Sequence, residues 1–366
     1  MPAIAIAAAL ASPLALAQTP PPDNQDRRQC SAQELANCLD GVGGGVTSLD
    51  SLRINTGSRG GGAAESEERA QQQARGAVPG VTSGVAAGNG AAGAWTVWGT
   101  GGFSSFESDV ANAPYEADSY NLLMGADRFF GDSVVAGFNF GYENVDTETF
   151  YNGGGQDRDG ITVGLYGAFL INDTFSFDVA TGYSSLDTDE NRLDPGTAVR
   201  VGAAATPGAT LLGTYDSRRA YFTANLNAVR SYGNWVVGAR LGALHAVESQ
   251  DAYAESGGAG ARTIRKRHID LTQAYGSVDV GYSAGAFEPY AVLEYRNDLG
   301  RDDGNAAGGL PGGVRTQPTD DDEWQGGVGV RYFGDNGITG NLEWLRTEGR
   351  ESFDNDSVSL TVRVPF

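Results

Sequence analysis

Few side chains in this sequence have the types and spacing to do chemistry. Its two histidines are His245 and His268. They flank one hairpin in the strand assignment given below, where a serine could be activated as a nucleophile. No G-x-S-x-G turn accompanies them, and a histidine at a sheet rim is the simpler account. Its two cysteines, Cys30 and Cys38, lie eight residues apart. Ser31-Ala32-Gln33-Glu34 between them is a capping-box pattern that starts a short helix through Leu39. Two cysteines in an exported chain suggest a disulfide. Eight helical residues rise about 12 Å, beyond a disulfide's reach unless the helix is bent or short. Both arrangements stay open, and with no His or third Cys nearby a metal site is disfavoured. The acidic runs Arg301-Asp302-Asp303-Gly304-Asn305 and Asp320-Asp321-Asp322-Glu323 offer oxygen ligands for Ca²⁺. They lack the full loop spacing and read as solvated loops, so no metal or cofactor is implied.

Composition narrows the setting for these residues. Glycine numbers 54, charged residues are 19%, mean hydropathy is −0.30 and the formal net charge is −21. So acidic a chain is repelled by polyanions, which excludes nucleic acid as a partner. After the N-terminus, no apolar run approaches the roughly 20 residues of a spanning helix. Residues 1–17 are an apolar stretch ending in Ala15-Leu16-Ala17, which reads as a signal peptide cut before Gln18. The basic region that normally precedes such a stretch is missing, so the start of translation is expected upstream of Met1. Residues 18–62 hold the cysteine pair and a Gly/Ser/Thr linker. In 63–93, Ala63 to Val78 reads as a helix, polar all round, that stops at Pro79-Gly80. At about 24 Å it has the length to plug a membrane barrel, although a solvated linker fits the same residues.

From Ala94 onward the periodicity becomes two. Twelve candidate strands follow: Trp95–Phe106, Ser119–Phe129, Ser133–Asp146, Gly160–Leu170, Thr174–Asp187, Tyr215–Val229, Trp235–Glu248, Ile269–Ser283, Phe287–Asp298, Glu323–Phe333, Ile338–Glu348 and Asn355–Phe366. Val134, Ala136, Phe138, Phe140 and Tyr142 oppose Gly137, Asn139, Gly141 and Glu143, an apolar face against a polar one. In the last strand Val358, Leu360, Val362, Val364 and Phe366 oppose Ser357, Ser359, Thr361, Arg363 and Pro365. A soluble sandwich would alternate too, and connection length separates the two folds. The even-numbered strands end in tight Asn/Asp/Gly turns, such as Phe130-Gly131-Asp132 and Gly334-Asp335-Asn336-Gly337. The odd-numbered ones mostly end in long polar loops, such as Thr188–Thr214 and Gly300–Asp322. Such alternation describes an all-β transmembrane antiparallel barrel of about twelve strands, residues 94–366, with short periplasmic turns and long extracellular loops. Trp95, Phe129, Trp235, Phe287, Tyr332 and Trp344 are expected in its interfacial girdles. Asp127, Glu143, Asp178, Arg219, Arg240, Asp279, Glu288, Glu294, Arg296, Arg331, Glu343 and Arg363 fall on the inward face as cross-lumen ion pairs.

With these strands, turns and terminal row in place, residues 94–366 resemble the autotransporter β-domain, the C-terminal translocator of type V secretion proteins. The resemblance implies an outer-membrane location, export or anchoring of the preceding segment, and no catalysis. It implies that Val358, Leu360, Val362, Val364 and Phe366 are the signal read by the outer-membrane assembly machinery, with periplasmic chaperones as further partners. Members usually carry a large passenger, whereas here the segment is short, 18–62, and without repeats. Arg262, Arg265, Lys266, Arg267 and His268 sit where an extracellular loop enters the eighth strand. They suit lipopolysaccharide phosphates, or pairing with the acidic loops. The alternatives are a stand-alone pore or adhesin acting through its loops, and a lipid hydrolase, since outer-membrane phospholipases also use twelve-stranded barrels with a Ser/His site.

Overall fold

The computed structural model describes residues 95–366 apart from 109–113, 132, 151–152, 173, 195–198, 202–203, 207, 303–320, 335–336 and 351–352. The expected signal peptide, the Cys30/Cys38 pair, the linker, the 63–78 helix and part of the two acidic runs (303–305 and 320) lie outside the described residues. The described residues form sixteen strands: β1 (Trp95–Ser108), β2 (Tyr115–Phe130), β3 (Val134–Thr149), β4 (Gly154–Leu170), β5 (Phe175–Leu193), β6 (Val199–Val201), β7 (Ala204–Thr206) and β8 (Thr210–Tyr232), then β9 (Trp235–Gln250), β10 (Tyr253–Ala254), β11 (Thr263–Ile264), β12 (Arg267–Tyr282), β13 (Phe287–Asp302), β14 (Asp322–Phe333), β15 (Thr339–Arg350) and β16 (Phe353–Pro365). Twelve of them close into one barrel, in which β16 pairs with β1 from Pro365 opposite Thr96 to Phe353 opposite Ser108. The other four form the two-stranded pairs β6–β7 and β10–β11.

Turn chemistry sets the lower rim. Gly131, Gly233, Gly285 and Gly337 adopt φ of 65°, 62°, 66° and 80°, the left-handed region that tight hairpins require. The β4–β5 turn instead uses Asn172, whose Oδ1 accepts from the Thr174 and Phe175 amides at 2.9 Å each. The outward row then reads apolar for a fixed height. On β16 it runs from Val358 through Leu360, Val362 and Val364 to Phe366, all exposed. These eight residue steps, tilted as barrel strands are, span about 20 Å, close to the apolar band of an outer-membrane barrel. Trp235 packs edge-on to Tyr282, and Phe287 packs against Tyr332, at the lower border of the belt.

Two expectations need correcting, and a third position is refined. Phe129 is buried on the inner face, and its neighbour Phe130 takes the outward girdle position. Trp344 faces outward opposite Val358, the top of the β16 apolar row, with Arg346 and Asp356 next above it, so it stands at the upper border of the belt. The loop expected over Thr188–Thr214 is wall at both of its ends, because β5 continues to Leu193 and β8 begins at Thr210. Above the lipid both faces are wet, so the outward row turns polar (Asp187, Asp189, Asn191) and the apolar alternation disappears while the pairing goes on.

Candidate functional site: the barrel wall and its closing seam

Inside the barrel, the expected inward charges all lie on the inner face, and most are buried. At the seam, Trp98 of β1 donates through Nε1 to the Tyr166 hydroxyl at 2.6 Å, and Tyr166 donates to Asp127 Oδ2 at 2.9 Å. Arg363 of β16 donates to the same oxygen at 2.5 Å, so the first, second, fourth and last barrel strands are joined by one network. Space for the two rings comes from missing side chains. A Cβ on Gly125 would lie 2.5 Å from the Trp98 ring, and one on Gly137 would lie 2.4 Å from Tyr166. Farther up the seam, Thr100 and Thr361 hydroxyls meet at 2.8 Å.

A second network centres on Arg331 of β14. Its Nη1 reaches Glu288 at 2.5 Å, its Nη2 reaches Asp279 at 2.9 Å, and the guanidinium lies 3.8 Å from the centre of the Tyr290 ring. Tyr290 in turn reaches Glu343 at 2.6 Å. Elsewhere Arg219 spans from β8 to Glu143 on β3 at 2.5 Å, and Arg296 holds Glu294 at 2.6 Å. Asp178 accepts from Asn225 and Asn227 at 2.8 and 2.7 Å. Charge-assisted bonds of this kind, repeated strand to strand, cross-brace a wall whose interior is polar. The inner face also carries apolar residues that the alternation had assigned elsewhere or left out: Leu123, Phe129, Leu244, Ile269 and Leu271 are buried there.

A family model described as Autotransporter beta-domain matches residues 95–344. The chain belongs to the autotransporter β-domain family. Among solved structures, the translocator domain of autotransporter NalP from Neisseria meningitidis superposes with a TM-score of 0.61 at 14% identity, covering 74% of this chain and 88% of that one. The β-domain of the Bordetella autotransporter BrkA gives 0.54 at 17% identity, covering 75% of this chain and all of that one (100%). At such identities these two likenesses speak to fold alone. No curated protein sequence matches. This autotransporter-type barrel therefore resides in the bacterial outer membrane, with its tight turns on the periplasmic side and its tall wall outside.

The remaining expected site residues are dispersed in the autotransporter barrel. His245 faces outward, its Nδ1 3.0 Å from Thr272 Oγ1, and His268 pairs with Ser249 on the same outer face. The two histidines thus share no inward cleft. The basic cluster divides. Lys266 stands 3.6 Å from Asp251, the Arg262 amide donates to Glu255 at 2.8 Å, and Arg267 begins β12 opposite Gln250. Arg265 is exposed.

A feature the strand pattern did not announce is an acidic ladder on the outer face above the belt. Asp159, Asp187 and Asp216 are directly opposed across β4, β5 and β8. The Asp187 carboxyl is held above its ordinary range, by burial first and then by its hydrogen bond to Asp216 and the charges around it. A carboxyl whose folded value is raised costs stability once the pH exceeds that value, and the cost vanishes as the pH falls below the unfolded value. Asp187→Asn should therefore slow amide exchange over residues 187–193 at about pH 7, with the difference from the parent gone by about pH 3. Equal exchange at both pH values would remove the ladder as a source of strain.

Proposed function

We propose that this barrel anchors the short segment ahead of it, residues 18–62, and delivers it to the cell surface. The supporting observation is the position of Trp95. It begins β1 beside the final residue, with the Phe366 amide donating to the Trp95 carbonyl at 2.9 Å, at the end that carries the tight turns. A chain leading into Trp95 arrives from the periplasmic side, and its route outward is the polar interior lined by Asp127, Arg363 and Glu143. On this reading a signal peptide is removed before Gln18. The segment 63–93 then lies in the lumen, and the wall is a scaffold, not a catalyst.

Within the same reading, Val358, Leu360, Val362, Val364 and Phe366 are what the outer-membrane assembly machinery recognises, after periplasmic chaperones have carried the chain. They form an exposed row on the strand that closes the barrel. An epitope placed between residues 18 and 62 should be cut by protease added to intact cells that assemble the barrel. Full protection, with the barrel folded in the membrane, would favour a retained plug in a stand-alone pore.

A further inference from the structure

The extracellular side of the barrel is uneven, and its tallest part is built from two hairpins fastened to each other. β10 and β11 continue the β9–β12 hairpin, with Tyr253 opposite Ile264 in line with Gln250 opposite Arg267. Ser256 and Leu212 of β8 exchange two backbone hydrogen bonds at 2.9 Å, so this extension runs along the free edge of β8 above Ser217. Its side chains then reach across β8. Tyr253 stacks on Tyr215 with ring centres 4.7 Å apart, and its hydroxyl donates to Glu190 of β5. Gly213 leaves room for that ring, since a Cβ there would lie 2.6 Å from it.

The strongest fastening is one ion pair. Arg192 of β5 donates through Nε and Nη2 to the two carboxylate oxygens of Glu255, each at 2.7 Å, with side chains 5% and 1% exposed. Beside it the Gly260 amide donates to Asp194 Oδ2 at 2.9 Å. The tip itself, Ser256-Gly257-Gly258-Ala259-Gly260-Ala261, has little side chain with which to order itself. Its position is therefore set by residues more than 60 positions earlier in the chain.

We propose that the Arg192–Glu255 pair is a latch that pins the 256–261 tip to the β5–β8 hairpin and fixes the width of the extracellular mouth on that side. Removing either partner leaves the other charge buried alone, which shifts a local opening equilibrium far more than the loss of an exposed pair would. Exchanging the two charges keeps one of each sign in place. The latch acts whatever segment the barrel carries, so its test is independent of surface delivery.

The test uses the full chain in liposomes, with folding checked by heat-shifted gel migration and elastase cleavage mapped by mass spectrometry. Glu255→Arg and Arg192→Glu should each raise cleavage at Ala259 or Ala261 by on the order of 100-fold, and the double exchange should restore most of the resistance. Glu255→Gln is the milder variant should the reversals not fold. In that background a Leu212→Cys/Ser256→Cys cross-link should return resistance, and single-channel current should be larger before cross-linking than after it. Single variants as resistant as the parent, or a cross-linked protein cut as fast as the uncross-linked one, would overturn the latch.

Discussion

Replacing Arg331 by leucine should destabilise the barrel by about 3–5 kcal/mol, the usual cost of removing one partner from a buried charge network. The guanidinium is fully buried, held between Asp279 and Glu288 and seated on Tyr290. Its loss leaves two carboxylates facing each other across β12 and β13 with no cation between them. The partners supply the control. Arg331→Leu combined with Asp279→Asn and Glu288→Gln removes the whole charge set, and most of the lost stability should return, because neutral amides cost far less to bury than lone carboxylates. Urea unfolding in lipid, followed by tryptophan fluorescence, measures both. A loss below about 1 kcal/mol for Arg331→Leu would mean that water, and not protein, surrounds the charge.

Val362→Arg should cost about 2–4 kcal/mol, whereas Phe366→Arg should cost no more than about 1 kcal/mol. Both residues face outward, but Val362 of β16 stands mid-belt, opposite Gly340, and Phe366, just past the end of the strand, lies at the periplasmic border. A charge at the midplane has no water within reach, while one at the border can extend into the headgroups. The contrast also separates folding stability from recognition by the assembly machinery. If Phe366 is read during insertion, Phe366→Arg should lower the amount of barrel inserted in cells while leaving the unfolding curve of the purified protein nearly unchanged. Equal losses in both measurements would return the terminal row to an ordinary packing role.

The belt was legible in the sequence because lipid imposes one rule on every outward position within it. Val134 to Tyr142 and Val358 to Phe366 show it plainly, and so do the glycines of the lower turns. Legibility stopped where that rule stops. Asp187, Asp189 and Asn191 are as polar as Thr188, Glu190 and Arg192, so nothing in their order marks which row faces out, although the pairing continues to Leu193. Phe129 and Phe130 are adjacent aromatics, and residue type alone does not tell which points inward. The inward charges could be assigned by parity, but their partners could not. Arg219 with Glu143, and Arg363 with Asp127, join strands far apart in the chain, and their pairing depends on closure.

The seam has a kinetic consequence as well. Thr100 meets Thr361 across 261 positions of chain, and β1 has no outer partner until β16 is present. Until then two hydrogen-bonding edges and a lipid-seeking surface are open to water together, the condition that favours association between chains. Loop closure over such a span is also entropically late, after the local hairpins. The ring of strands is therefore expected to form as a single final event. Its rate would be governed by how long the open edges can be kept apart from those of other molecules.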